Sequence, residues 1–331
     1  IRNRTPEALQ EYTELLKEEI LFWKFCQYKF YEQWKFLKQY ANTRGIQIIG
    51  DIPLYMAMDS ADVWADRKLF LLEEDGSQQH VAGSPPDNFS EEGQKWGNPV
   101  YDYSYMEEHQ FDWWRHRIEK NAALYDVIRI DHFLGVVRYY TIPFQEKDCC
   151  NGKWNKGPGK KLTDVMEESA GDCRIIVDNA GSAIAGSRKL LTRIGWPGSK
   201  ILMFAFDGNT GNENLPHNFE ENNIVVYTGT HDNDTIVGYF RDKTEYELAY
   251  LYEYLNIGSK EEIPDALIRL AYSSIADVVI IPMQDVLQLG NEARMNQPST
   301  VGQNWKWRVG KDTLSEERRA WVRTIAAVYR R

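Results

Sequence analysis

The feature that most constrains this chain is a repeated one: a short run of β-branched and apolar residues that stops at a carboxylate. Val127-Ile128-Arg129-Ile130-Asp131 is the most compact case. Such a run reads as a buried strand, and side chains on a strand alternate with a period of two. Arg129 and Asp131 therefore share one side of it. A guanidinium buried beside a carboxylate favours the charged form of the acid, so Asp131 is a candidate nucleophile with Arg129 as its partner. Stretches 46–51, 174–178 and 224–232 repeat the pattern and end in Asp51, Asp178 and Asp232; 200–207 and 278–281 add two further apolar runs. Six strands separated by helical segments or long excursions predict an α/β fold with a parallel sheet. In such folds ligands bind beyond the carboxyl ends of the strands, where these acids are expected. One strand-end Asp is more often a helix cap or a turn residue. Four in equivalent places repel one another and point to metal binding or acid/base chemistry.

Helical periodicity covers 6–43, beginning at Thr5-Pro6 and closed by Gly45, either as one long helix or as a packed pair. It recurs over 107–124, 162–169, 184–194, 243–255, 260–276 and from Ser315 onward. Residues 54–105 show little periodicity and read as a long inserted loop region. A stretch of that length inside a compact domain is usually functional, and its Trp, Phe and Tyr residues argue against disorder.

The net charge of -10, from 39 basic and 49 acidic residues, argues against nucleic acid or an anionic membrane surface as the main partner. No apolar run approaches the ~20 residues of a membrane span, and no signal peptide is expected. None of the four cysteines has zinc-ligand spacing, so no structural metal is expected, and a reducing, cytoplasmic setting is. A hard cation such as Mg²⁺ would also use strand-end carboxylates, but no phosphate-cradling Gly loop accompanies them. The 11 Trp and 19 Tyr suit sugar faces, although core packing accounts for most such rings. Asn, Gln and aromatic residues around the acids fit a neutral polyhydroxyl ligand better than a metal. His231-Asp232 sets an imidazole next to a carboxylate, a pair that can share sugar hydroxyls; His109 and His116 read as structural. No cofactor is called for.

At this point the chain resembles the 4-α-glucanotransferases (amylomaltases, or disproportionating enzymes) of glycoside hydrolase family 77. The matching stretches run collinearly through nearly the whole sequence. They include Gly50-Asp51-Ile52-Pro53-Leu54-Tyr55, Trp96-Gly97-Asn98-Pro99, Arg129-Ile130-Asp131-His132-Phe133, Thr228-Gly229-Thr230-His231-Asp232-Asn233-Asp234 and Glu292-Ala293-Arg294-Met295-Asn296. The resemblance implies a (β/α)8 TIM-type barrel with inserted helical and loop subdomains. It implies retaining double displacement on α-1,4-glucans, with maltooligosaccharides as donor and acceptor. Asp131 matches the nucleophile, Arg129 its hydrogen-bonding partner, Asp178 the acid/base position and Asp232 the acid that steadies the distorted sugar. His231, Asp51 and Asn296 match sugar-contacting residues, and Gln94, Trp96 and Asn98 match a glucan-binding wall. Retaining chemistry sets the nucleophile and the acid roughly 5–5.5 Å apart.

Three departures stand out. The family's acid/base Glu is Asp178 here, and the Asp after it is Asn179. Asp is one methylene shorter, roughly 1.5 Å, and a misplacement of about 1 Å costs on the order of 10²-fold in rate. Less like-charge repulsion also lowers the affinity of position 178 for a proton, the wrong direction for a donor. Asn88 stands where the family carries a stacking Tyr, and Leu134 where it carries Arg. Finally, the family has more chain at its N-terminus, including the first two barrel strands. The expectation is a single, partial catalytic barrel domain over 1–331, with 54–105 as an inserted substrate-binding loop region. Helices 6–43, a partner or further chain would then cover the open sheet edge. Two functional readings follow: a glucanotransferase, weakened at position 178, or a catalytically impaired glucan-binding homologue. A hydrolase is a third, separable by its products.

Overall fold

The computed structural model describes residues 1–86, 90–179, 185–298 and 300–331, so the Asn88 expectation lies outside the described residues. Ten strands are described: β1 (Ile49–Ile52), β2 (His80–Ser84), β3 (Gln94–Pro99), β4 (Val127–Ile130), β5 (Arg138–Pro143), β6 (Lys153–Lys156), β7 (Arg174–Val177), β8 (Gly198–Ile201), β9 (Ile224–Tyr227) and β10 (Val278–Ile280). The helices used below are α1 (Pro6–Leu15), α2 (Lys17–Asn42), α3 (Asp112–Leu124), α4 (Lys160–Ala170), α5 (Ile236–Arg241) and α6 (Glu316–Val328). The chain forms two compact units. One comprises Ile1–Gln79, Asn98–Asp131 and Pro158–Ile175; the other comprises His80–Gly97, His132–Gly157 and Ile176–Arg331.

In the first unit β1 and β4 pair in parallel, with Asp51 opposite Arg129 and Ile52 opposite Ile130. The sheet order is β1–β4–β7, β7 contributing Arg174 and Ile175 to this unit. All four residues of β4 are buried, as expected of a parallel strand covered on both faces. Trp114 and Ile118 of α3 and Leu162 and Met166 of α4 are among the fully buried side chains, and α3 and α4 pack on each other. Gly50 is required by close approach: a Cβ there would collide with the ring of Tyr125.

Thr5 caps α1 by accepting the N–H of Ala8 at 3.3 Å. Of the two arrangements expected for 6–43, a single long helix or a pair, the chain forms two consecutive helices broken at Leu16. Near its C-terminal end α2 is tied down: Trp34 Nε1 donates to the Leu124 carbonyl at 2.8 Å, and Lys38 Nζ to that of Tyr125 at 3.0 Å. Ala41 is its only buried residue, and Phe22, Trp23 and Phe36 are 58%, 64% and 68% exposed. The inserted region is less irregular than expected. Around Tyr101, whose hydroxyl donates to the Leu54 carbonyl at 2.8 Å, Tyr55 and Phe70 stack and Trp114 packs edge-on. These rings are core, as most rings were expected to be.

In the second unit β8, β9 and β10 form a parallel sheet with β9 in the centre. A four-stranded sheet of order β3–β2–β5–β6 occupies stretches read as excursions. β2 and β6 flank β5 in antiparallel register, over a small core of Val81, Tyr140 and Ile142. The run 200–207 is strand only to Ile201; Leu202–Phe204 turn as a 3-10 helix, so Asp207 is not a strand-end acid. All six strands expected from the apolar runs are present.

Candidate active site

In the first unit the positions of Asp51, Arg129 and Asp131 follow from strand pairing. Arg129 Nη1 donates to Asp51 Oδ2 at 2.6 Å across the β1–β4 register and reaches Asp131 Oδ1 at 3.4 Å. The guanidinium side chain is 6% exposed, whereas those of Asp51 and Asp131 are 34% and 36% exposed. A fixed positive charge thus lies beneath two carboxylates that solvent, or a ligand, can reach. Asp131 directly follows β4, and its N–H donates to the Ile52 carbonyl at 3.0 Å, carrying the ladder one residue further. Asp51 lies inside β1 rather than at its end. Beyond β1 the chain is held by Arg117, which donates to the Pro53 carbonyl at 2.6 Å. Asn98 donates to the Met56 carbonyl at 2.8 Å, so it braces the loop after β1.

In the second unit His231 and Asp232 belong to the loop between β9 and α5. Asp232 lies five residues past the end of β9, not at the strand end itself. The loop is folded by its own polar groups: Asn233 Oδ1 accepts from the N–H and the hydroxyl of Thr230, at 2.8 and 2.9 Å. Asn296 Nδ2 donates to Asp232 Oδ1 at 2.6 Å. Arg294 donates to the carbonyls of Asp232 and Asn296, at 2.8 and 2.9 Å. His231 Nε2 stands 3.5 Å from Asp232 Oδ2. Arg294 carried no expected role; it binds main chain, and only the fold brings it to Asp232.

Asp285 was equally hidden. Its carboxylate accepts from Thr228 Oγ1 at 2.7 Å and from the N–H of Ile236 at 2.8 Å. It thereby clasps both ends of the 229–235 loop that carries His231 and Asp232.

Asp178 directly follows β7. Its carbonyl accepts the N–H of Phe133 at 2.9 Å, and its Oδ1 accepts from Ser199 Oγ at 3.4 Å. Asn179 Oδ1 accepts the N–H of Ser199 at 2.7 Å, so position 179 splices the end of β7 to β8. Gln94 is buried and accepts from Trp96 Nε1 at 2.9 Å. Trp96 meets His132 edge-on, with ring centroids 4.7 Å apart. Among the described residues no group of three or more His, Cys, Asp or Glu could hold a metal ion.

Strand-end and loop carboxylates set on an α/β scaffold are an arrangement that glycoside-processing enzymes use. Comparison with known proteins narrows this. The chain belongs to the 4-alpha-glucanotransferase family, glycoside hydrolase family 77, whose profile matches residues 1–313. It is 45% identical to a 4-alpha-glucanotransferase of Clostridium butyricum, covering 100% of this chain and 68% of the relative. It is 43% identical to one of Thermus thermophilus, covering 98% and 66%. An amylomaltase of Streptococcus agalactiae, solved in complex with acarbose, superimposes with a TM-score of 0.95 at 41% identity, covering 100% of this chain and 67% of that one. The chain thus spans about two thirds of the length of these relatives, and its α/β fold is that of the TIM-type barrel amylomaltases.

Proposed function

We propose that this protein transfers α-1,4-glucan segments between maltooligosaccharides by retaining double displacement, as its family's 4-α-glucanotransferases do. Asp131 attacks the anomeric carbon of the donor. The glycosidic C–O bond breaks, Asp178 gives its proton to the departing oxygen, and a glucanyl ester forms on Asp131. The hydroxyl of a second glucan then attacks the same carbon. The ester C–O bond breaks and the hydroxyl proton passes to Asp178. Asp232, braced by Asn296, steadies the sugar between the two steps, and His231 binds its hydroxyls. Asp51 joins Arg129 in orienting Asp131. Gln94, Trp96 and Asn98, within the 54–105 insert, line the path of the glucan.

The observation that carries this reading is the buried Arg129 holding the reachable Asp131 from below. A carboxylate fixed this way is pre-oriented for in-line attack, which is worth several orders of magnitude in rate. A reducing, cytoplasmic compartment suits the four free cysteines, and among the described residues no helix is long and apolar enough to cross a membrane. The test is incubation with maltotriose. The expected products are glucose and a ladder of longer glucans, with total reducing ends unchanged and α-anomers retained by NMR. Shortened chains with rising reducing ends would replace transfer by hydrolysis. Acarbose, present in the complex of the S. agalactiae amylomaltase, is expected to compete.

A second reading rests on Asp178. Its acid is short, and its neighbour Asn179 is committed to β8. Maltooligosaccharide binding without turnover, unaltered by restoring Glu at 178, would make this chain a binding homologue.

A further inference from the structure

Trp305 has no part in the scheme above, yet its ring lies against the site. Its centroid is 5.0 Å from that of His231, with the planes inclined at 44°. The residue is 54% exposed, so the ring lies beside the imidazole and is still reachable by a ligand. Its backbone is left-handed, at φ 64°, a conformation that a bulky residue adopts only under constraint. The constraint is visible: the N–H of Trp305 donates to the Met295 carbonyl at 2.7 Å, one residue before the Asn296 that braces Asp232. The preceding turn is closed by Asn304, which donates to the Thr300 carbonyl at 3.0 Å and accepts the N–H of Gln297 at 3.0 Å. Chain segments that order Asp232 therefore also hold an aromatic ring at the edge of His231. Surface-exposed Trp in a relaxed loop would be unremarked; Trp on a strained backbone beside a sugar-binding pair is placed there.

We infer that Trp305 is a specificity-determining residue, a platform on which the glucosyl unit next to the one held by His231 stacks. Resting on the glucan-transfer reading, this adds what that reading lacks, a reason for acceptor sugar to prevail over water. A flat indole face buries the apolar side of a pyranose and leaves its hydroxyls outward. Water gains nothing from such a face, so the platform raises the local presence of glucan alone.

The experiment compares Trp305→Ala, Trp305→Phe and Trp305→Gly with the unaltered chain. Maltoheptaose affinity is read by calorimetry, and transfer against hydrolysis by reducing-end release per glycosidic bond broken. Trp305→Ala is expected to weaken maltoheptaose binding and raise the acceptor KM by about tenfold, and to shift turnover toward hydrolysis. Trp305→Phe should retain most of both. Trp305→Gly removes the ring but relieves the left-handed strain, so it must behave like Trp305→Ala. Recovery in Trp305→Gly would show that the backbone, not the ring, was at stake and overturn the proposal, as would an unchanged Trp305→Ala. If the unaltered chain neither binds maltoheptaose nor disproportionates maltotriose, the glucan-transfer reading itself falls, an outcome distinct from equal behaviour of all four proteins.

Discussion

Asp285 offers a test of the clasp that orders the His231–Asp232 loop. The residue is 1% exposed. Burial is the main influence on its carboxyl, pushing it from the ordinary 3.8 up to about 6; its bonds to Ile236 and Thr228 pull it down, and neighbouring Asp234 pushes it up. A folded value above the unfolded one means that between these two pH values the native state keeps a proton the unfolded chain has released. Stability from this group is therefore fully present below about pH 4 and is lost as pH rises through about 6. At about 1.36 kcal/mol for each pH unit, the loss comes to about 3 kcal/mol. Asp285→Asn replaces the ionisable group with a neutral one of the same shape. Its carbonyl oxygen accepts the Ile236 N–H, and its amide donates to Thr228 Oγ1. Urea unfolding of both proteins, followed by circular dichroism from about pH 4 to about pH 7.5, should show the variant gaining up to about 3 kcal/mol on the wild type. Most of that gain should accrue below about pH 6. A stability difference that is flat with pH, or that moves against the variant as pH rises, would refute the argument.

Three further outcomes are expected. Asp178→Glu with Asn179→Asp should raise maltotriose disproportionation on the order of 10²-fold; the new carboxylate at 179 still accepts the Ser199 N–H, so thermal melting should hardly move. Asn296→Ala removes the 2.6 Å hydrogen bond to Asp232; if Asp232 acts in the transition state as proposed, kcat should fall about tenfold or more while the donor KM changes little. Arg129→Leu leaves Asp51 and Asp131 facing each other without their cation. It should abolish turnover and cost about 1–3 kcal/mol in urea unfolding, less than for fully buried partners because both acids are partly exposed.

The parallel strands were legible because burial on both faces demands near-continuous apolar runs, and 175–177 and 224–227 have them, as does 127–130 apart from Arg129. The antiparallel sheet was not. Lys153-Trp154-Asn155-Lys156 has no buried residue, and its pairing with β5 is set by Tyr140 and Trp154 packing across strands rather than by an apolar run. At the site, Asp131 and Arg129 could be paired from spacing alone, since residues two apart on an extended chain share a face. The placement of Asp51 opposite Arg129 needed the register, and the roles of Arg294 and Asp285 needed the fold. Both bind main chain or a hydroxyl from 49 to 62 positions away, and nothing in their neighbouring residues announces it. The carboxylate series was overdrawn in two respects: Asp51 lies inside its strand, and Asp232 belongs to a loop built by Thr230 and Asn233, not to the end of its strand.

The bond from the Asp131 N–H to the Ile52 carbonyl has a consequence for how the protein becomes active. Asp131 is seated by a strand that precedes it by almost eighty residues; Asp51 and Arg129 are 78 apart. Closing a loop of that size costs about 4 kcal/mol of chain entropy before any contact rewards it, and contacts this distant in sequence form slowly. A slip of one residue between β1 and β4 would turn Asp51 to the opposite face and strand the guanidinium. Helices can therefore be complete while the protein is still inert. During refolding, recovery of turnover should trail recovery of helical circular dichroism, with the delay timing the arrival of one strand in register with another.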